Sequence, residues 1–310
     1  MDKLVLIDSN ALVHRSFHAL PPLKNKQGLL TNAVYGFCSI LIKVIKDLEP
    51  KYIAAAYDLE KPTFRHKQYE EYKATRKKAP DELYEQIPKT KSLLDALGIT
   101  ILEKEGYEAD DVIGTIAEKT KNKNIETYIV TGDLDTLQLV DDNIKVYTLR
   151  KGVKDTTIYG EKEVKERFEL EPEQLLDYKG LRGDPSDNIP GVSGIGEKTA
   201  TALLKEFKTI ENLYKKIEKM KEEKIKKHPT LTPRIASKLK EEKEMAIFSK
   251  ELGTIQKNVP VKVDIKKFEW KNNMDKEKIK ELFNELEFQS LLKRIPFMEE
   301  KENSKQANLF

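Results

Sequence analysis

An α/β fold with a central, mainly parallel sheet flanked by helices is predicted by two observations. Short apolar runs alternate with amphipathic helical stretches through the first 131 residues, and those runs end at or just before carboxylates. Residues 4–8 read as a buried strand closing on Asp8. Residues 33–48 place Ala33, Val34, Phe37, Ile40, Leu41, Val44, Ile45 and Leu48 at helical spacing. A strand over 53–57 is followed by Asp58. A helix over 83–97 stops at Gly98, a short strand covers 99–102, a helix covers 108–120, and a strand over 125–131 ends before Asp133. Farther on, a glycine-rich turn opens a helix reaching about Phe207, and helical patterns recur over 234–252, 275–286 and 288–295. Residues 299–310 read as a flexible tail.

The carboxylates carry the chemistry. In a parallel sheet, ligands bind beyond the carboxyl ends of the strands, where Asp8, Asp58, Asp133 and Asp135 all fall. Gly106-Tyr107-Glu108-Ala109-Asp110-Asp111 adds three more acids, and Gly183-Asp184-Pro185-Ser186-Asp187-Asn188 adds two in a turn-rich loop. Like charges packed this closely raise one another's pKa, so the cluster is comfortable around Mg²⁺ or Mn²⁺. Taken alone, Glu108 to Asp111 would serve equally well as caps of a helix N-terminus. Convergence on one sheet edge favours metal binding.

The composition sets the context. A chain of 310 residues with 38% hydrophobic content supports one large domain or two modest ones. No run approaches the roughly 18 apolar residues of a membrane span, and no signal peptide precedes the first strand, so a cytoplasmic protein is expected. The single cysteine, Cys38, excludes a disulfide framework and reads as a buried thiol. The net charge of +3 conceals segregation: between Lys198 and Lys250, 15 basic residues face 8 acidic ones. Residues 60–80 mix Lys61, Arg65, His66, Lys67, Lys73, Arg76, Lys77 and Lys78 with Phe64, Tyr69 and Tyr72, a pattern that suits single-stranded nucleic acid or a solvated helix. Gly191 and Gly196 have P-loop separation, but Glu197 follows and the lysine comes one position late, which excludes a nucleotide site. A glycine turn of this kind instead offers backbone amides to a DNA phosphate. His14 and His18 lack further zinc ligands and are assigned no metal role.

Together these motifs resemble the 5′-nuclease (5′-3′ exonuclease) domain of bacterial DNA polymerase I, within the flap endonuclease superfamily. The resemblance covers residues 1 to about 296. It rests on Asp8-Ser9-Asn10, Arg15 to Leu20, Tyr35-Gly36-Phe37, Asp58 with Phe64-Arg65-His66, and Tyr72-Lys73-x-x-Arg76. The acidic motifs, Pro190-Gly191, and Gly194 to Ala200 complete it.

The resemblance implies an α/β nuclease core over 1–180, with a helical arch at about 60–90. It further implies a helical DNA-binding subdomain over 181–296 with a helix-hairpin-helix-type motif at 188–207, and a tail over 297–310. Nine carboxylates would surround two Mg²⁺ or Mn²⁺ ions: Asp8, Asp58, Glu108 and Asp110 mainly at the first, Asp133, Asp135 and Asp187 at the second, with Asp111 and Asp184 nearby. Lys73 and Arg76 would steer and stabilise the scissile phosphate. Tyr72 would stack on a base or pack the arch. Arg15, Arg65, Gly191, Gly194, Gly196, Lys198 and Thr199 would contact DNA, with K⁺ at the hairpin.

The implied reaction is phosphodiester hydrolysis at 5′ ends and 5′ flaps of branched or RNA-primed DNA, leaving 5′-phosphate and 3′-hydroxyl, by a bacterial, nucleoid-associated monomer. A free-standing nuclease and a domain of a longer polymerase both fit. Gln306, Leu309 and Phe310 resemble a sliding-clamp motif. A non-catalytic DNA-binding protein and a metal-dependent ribonuclease are the competing readings.

Overall fold

The computed structural model describes residues 1–121, 123–149 and 155–296. The clamp-motif residues Gln306, Leu309 and Phe310 lie outside them. Strand β1 (Asp2–Asp8) runs through the centre of a six-stranded sheet and leads directly into α1 (Ser9–Ala19). Leu4, Val5, Leu6 and Ile7 are at most 1% exposed, the continuous apolar run expected of a parallel strand covered on both faces. After α2 (Asn32–Leu48) comes β2 (Tyr52–Ala56), then three short helices, α3 (Phe64–Gln68), α4 (Asp81–Tyr84) and α5 (Ile87–Ala96). Strand β3 (Thr100–Leu102), α6 (Ala109–Thr120) and β4 (Ile125–Thr131) follow.

Two strands that the sequence reading did not place, β5 (Ile144–Leu149) and β6 (Thr156–Tyr159), complete the order β3-β2-β1-β4-β5-β6. Only β6 is antiparallel to its neighbour. The strand order reverses between β1 and β4, opening a crevice at their carboxyl ends.

The expected helix over 83–97 is broken. Pro88 lacks an amide donor and its ring would clash with the carbonyl of Tyr84, so α5 begins anew with Pro88 in its first turn. Gln86 at the break turns its side-chain oxygen to the Ala33 amide at 2.8 Å. Within 60–90, where a helical arch is expected, α3, α4 and the start of α5 are helical, and between α3 and α4 the chain turns at Tyr69 to Arg76, with Lys73 at φ 56, and lies on the 183–188 loop. The Lys73 amide donates to the Asp187 carbonyl at 2.9 Å and Asn188 donates to the Glu71 carbonyl at 2.8 Å.

Helix α7 (Glu161–Phe168) still belongs to the sheet, its Val164 packing with Val146 and Tyr159, and the helical unit comprises α8 (Gln174–Arg182), α9 (Glu197–Phe207), α10 (Ile210–Lys219), α11 (Glu222–Lys226), α12 (Pro233–Glu241) and α13 (Lys243–Gly253). The helical pattern over 234–252 is realised as α12 and α13, divided at Glu242 with φ −110 and ψ 26. Leu181, Leu203, Leu204, Leu213 and Leu239 form this unit's own core.

Helix α8 spans both cores, Leu175 packing with the sheet and Tyr178 and Leu181 with the helical unit, while α14 (Lys276–Glu285) and α15 (Gln289–Leu292) return to the sheet. Trp270, Ile279, Phe283, Leu291 and Ile295 bury against α2 and α5, because their apolar faces find the larger apolar surface there. Among the described residues no helix is long and apolar enough to cross a membrane.

Candidate metal centre

Five chain segments deliver carboxylates to one cavity of about 310 Å³ at the sheet edge. Asp8 arrives at the end of β1, Asp58 just after β2, Glu108 and Asp110 at the start of α6, Asp133 and Asp135 after β4, and Asp187 from the 183–188 loop. Three of these side chains are aimed by backbone amides. Asp8 caps α1, accepting from the Ala11 amide at 3.1 Å and from Thr131 Oγ1 at 2.6 Å. Asp58 accepts from the Ala109 amide at 2.7 Å, tying β2 to the start of α6. Asp133 accepts from the Asp135 amide at 2.9 Å.

The loop bearing Asp184 and Asp187 depends on a glycine crossing. Gly183 and Gly191 both have positive φ, and a Cβ on Gly191 would lie 2.2 Å from the Gly183 nitrogen. Reciprocal bonds between Asp184 and Ile189, at 2.8 and 2.9 Å, close the loop between them. Oxygens of Asp135, Asp184 and Asp187 then fall within 4.8 Å of one another. Asp184 therefore belongs with the second acidic group.

The acidic motif at α6 divides by function. Asp111 is fully buried and is not in the cavity. Its carboxylate accepts two hydrogen bonds from Arg65, one from the Glu108 amide at 3.1 Å and one from the Gln256 amide at 2.8 Å. It caps α6 and packs directly behind the cavity rather than lining it. Asp110, by contrast, has a buried Oδ1 without any hydrogen-bond partner, in the cavity.

Electrostatics distinguish these groups further. Burial, then the charges of Asp8, Asp133 and Asp58, push the Asp110 carboxyl well above the usual carboxylate range. Burial and the nearby Asp58 charge raise Asp8 to about 7 against the bonds from Thr131 and Ala11. Asp135 rises to about 6, chiefly by burial, with Lys179 opposing. Burial also acts on Asp184, but Lys179 and the bonds from Ser186 bring it down to about 2.

Four cations offset this charge, the first being Arg65, whose Nη1 lies 3.4 Å from Glu108. Lys73 Nζ lies 2.8 Å from Glu108 and 3.9 Å from Asp187, Arg76 pairs with Asp187, and Lys179 bridges Asp135 and Asp184. Lys179 escaped the sequence reading; its signal was a lysine in the last turn of a helix, five residues before Asp184. Asn10 and His14 also line the cavity.

Several expected DNA contacts are placed elsewhere. Arg65 is 3% exposed, its guanidinium shared among Asp111, Glu108 and the Leu252 and Thr254 carbonyls at the back of the cavity rather than on the outer surface. Tyr72 packs with Ile189 and Leu252 and directs its hydroxyl to Glu108 and Asp187 at 3.2 and 3.3 Å, the packing alternative of its two expected roles. Gly191 is buried and donates its amide to Ser249 Oγ at 3.0 Å, because the backbone crossing leaves no room for a ligand. Arg15 lies beside Gly132 at the end of β4. Gly194, Gly196 and Lys198 face outward, with Thr199 half-buried.

A parallel-sheet core with an acid-lined pocket at its strand ends, joined to a helical unit carrying a glycine hairpin, defines a resolvase-like core coupled to a helical domain. Residues 3–169 match the 5′-3′ exonuclease N-terminal resolvase-like domain, and residues 170–276 match the 5′-3′ exonuclease C-terminal SAM fold. The chain belongs to the 5′-3′ exonuclease family. It is 44% identical over 293 residues to DNA polymerase I of Bacillus subtilis (strain 168), covering 94% of this chain and 32% of that protein. It is 42% identical over 304 residues to DNA polymerase I of Caldicellulosiruptor bescii, covering 96% and 34%. The chain thus spans about a third of the length of these curated relatives.

Among solved structures, T5 5′-exonuclease with bound divalent metal ions (zinc) matches with a TM-score of 0.67 at 17% identity, covering 92% of this chain and 98% of that one. A bacteriophage T5 D15 flap endonuclease complex with DNA and metal ions matches with a TM-score of 0.65 at 16% identity, covering 94% and 99%. At these identities the likeness is one of fold.

The residues present fit a divalent cation. All the anionic donors are carboxylates, as hard cations require, and the unpartnered Asp110 oxygen lacks the bond that a buried acceptor needs.

Proposed function

We propose that this chain is a divalent-metal-dependent, structure-specific 5′-nuclease acting on DNA ends and 5′ flaps, including RNA-primed strands, in primer removal and repair. The observation that carries this reading is the convergence of seven carboxylates on one cavity, with a buried Asp110 oxygen left without a protein donor. Asp8, Asp58, Glu108 and Asp110 would hold one Mg²⁺ or Mn²⁺ ion, and Asp133, Asp135, Asp184 and Asp187 a second. When bound, such ions lower the pKa of water and stabilise the attacking and leaving oxygens of an in-line displacement.

The chain's own groups do the rest. Lys73 and Arg76 lie over the acids with their charges already directed into the cavity. A scissile phosphate would draw them from Glu108 and Asp187, exchanging carboxylate for phosphate partners and stabilising the charge that builds on the phosphate. Arg65 and Asp111 act from behind, holding the Glu108 amide and the start of α6 in place. Gly194, Gly196, Lys198 and Thr199 present the hairpin to duplex backbone, so that branch geometry rather than sequence selects the cut. K⁺ at this turn would add a further positive contact.

Labelled 5′-flap DNA and matched RNA, each incubated with Mg²⁺ or with EDTA, test the reading. Metal-dependent cleavage of the DNA flap, lost in Asp133→Asn, is the expected result. DNA binding without cleavage refutes it in favour of a binding module, and preference for the RNA refutes it in favour of a ribonuclease.

A further inference from the structure

The acids of the metal centre differ in what neutralises them. Asp8, Asp58 and Asp110 enter no ion pair among the described residues; Asp8 and Asp58 accept hydrogen bonds, and Asp110 Oδ1 accepts none. Asp133 is likewise without an ion pair among the described residues, but Asp135, Asp184 and Asp187, whose oxygens fall within 4.8 Å of one another, each hold a cation. Asp187 meets Arg76, while Lys179 Nζ pairs with Asp135 and lies 2.9 Å from Asp184. Lys179 stands apart from the other cations. Arg65, Lys73 and Arg76 line the cavity; Lys179 does not, and its side chain is 14% exposed. Its stem passes Gly253 so closely that a Cβ there would lie 3.2 Å from Lys179 Cδ. Its carbonyl accepts the Gly183 amide at 2.8 Å, at the root of the 183–188 loop. The buried ammonium makes no well-directed hydrogen bond, so charge is what holds it between the two carboxylates.

We propose that Lys179 is a positioning residue, the resident cation of Asp135 and Asp184, which holds these acids together in the metal-free protein and makes the second divalent ion bind more weakly than the first. The inference rests on the two-ion reading proposed above. Without the lysine, Asp135 and Asp184 would face each other as like charges across less than 4.8 Å. With it, an ion entering between them meets a fixed positive charge at close range. Asp8, Asp58 and Asp110 impose no such cost, because no protein cation pairs with them. A substrate phosphate reaching the cavity can draw on Lys73 and Arg76, but Lys179 is clamped behind the acids and stays with them.

Calorimetric titration of Mn²⁺ into the DNA-free protein tests this role. The wild type is expected to bind one ion about tenfold or more tightly than a second. Lys179→Met keeps an apolar stem against Gly253 and removes the charge. It is expected to tighten the second site by about tenfold and bring the two affinities together. Its unfolding midpoint in EDTA should fall, and the rise on adding Mn²⁺ should exceed that of the wild type. Lys179→Arg keeps the charge and is expected to keep the inequality. Two ions bound with equal affinity by the wild type overturn the proposal, whether or not either variant folds. A Lys179→Met protein that melts cooperatively with its second site unchanged or weakened also overturns it, as do equalised affinities in Lys179→Arg. Unequal ions without cleavage of 5′-flap DNA overturn the nuclease reading and leave this role standing. A wild type that binds no divalent ion overturns both.

Discussion

Arg65 grips Asp111 through two parallel hydrogen bonds, Nη1 to Oδ2 at 2.7 Å and Nη2 to Oδ1 at 2.8 Å, with the two side chains 3% and 0% exposed. The same guanidinium reaches the Leu252 and Thr254 carbonyls, so one side chain joins α3, the start of α6 and the end of α13. Removing one member leaves an uncompensated buried charge. Asp111→Ala is expected to cost about 3–5 kcal/mol of stability. Asp110→Asn, one position away, should leave metal-free stability unchanged or higher, because the amide cannot ionise at a position where burial and neighbouring carboxylates already oppose the charged form. Urea unfolding in EDTA distinguishes the two, and equal losses would contradict the division of roles.

The acids also set a pH dependence for the metal-free protein. Asp8 and Asp135, raised from 3.8 to about 7 and about 6, bind protons in the folded state that the unfolded chain has released. Their contribution therefore destabilises the protein as pH rises from about 4 to about 7. Asp184 has the opposite sign: its pKa is lowered to about 2, so its contribution is present above 3.8 and lost as pH falls toward 2. Unfolding midpoints in EDTA should fall between about pH 4.5 and 7.5, with added Mg²⁺ opposing the decline. A midpoint that climbs over that interval without metal would refute this account.

Lys73 and Arg76 compete with metal for the acids they neutralise. Replacing Lys73 with Ala removes a charge 2.8 Å from Glu108. Divalent binding in the absence of DNA should tighten by about tenfold while flap cleavage falls, a split that calorimetry and a single-turnover assay would resolve. Loss of metal affinity in Lys73→Ala would show instead that the lysine organises the site rather than competing for it.

The glycines of the hairpin should differ sharply in tolerance. A Cβ on Gly191 meets the Gly183 backbone at 2.2 Å, and its φ is +65, so Gly191→Ala must displace the loop carrying Asp184 and Asp187. Gly194 has similar φ but open space, and Gly194→Ala should cost only the left-handed backbone penalty of about 1–2 kcal/mol. Thermal melts should rank Gly191→Ala well below Gly194→Ala, with cleavage lost in the former. Equal tolerance would contradict the crossing.

Much of the core was legible because its signals are local. The strands at β1, β2 and β4 announce themselves as apolar runs that end beside Asp8, Asp58 and Asp133, and parallel-sheet topology then places those acids together. β5 and β6 signal more weakly, because Lys145 interrupts the apolar run of one and the other is four residues long, and the path of residues 69–76 depends on bonds to Asp187 and Asn188, more than a hundred residues away.

The acidic motif at the start of α6 shows where the division falls. The residue types and spacing by themselves determined the α/β core, the identity of the acids and their arrival at one sheet edge. Only the tertiary structure decided that Asp111 faces inward to Arg65 while Asp110 faces the cavity without a partner, and that Lys179 closes the second acidic group. Spacing sets the rotation of side chains around a helix, but the charge or solvent that each one meets depends on which distant segment packs against that face.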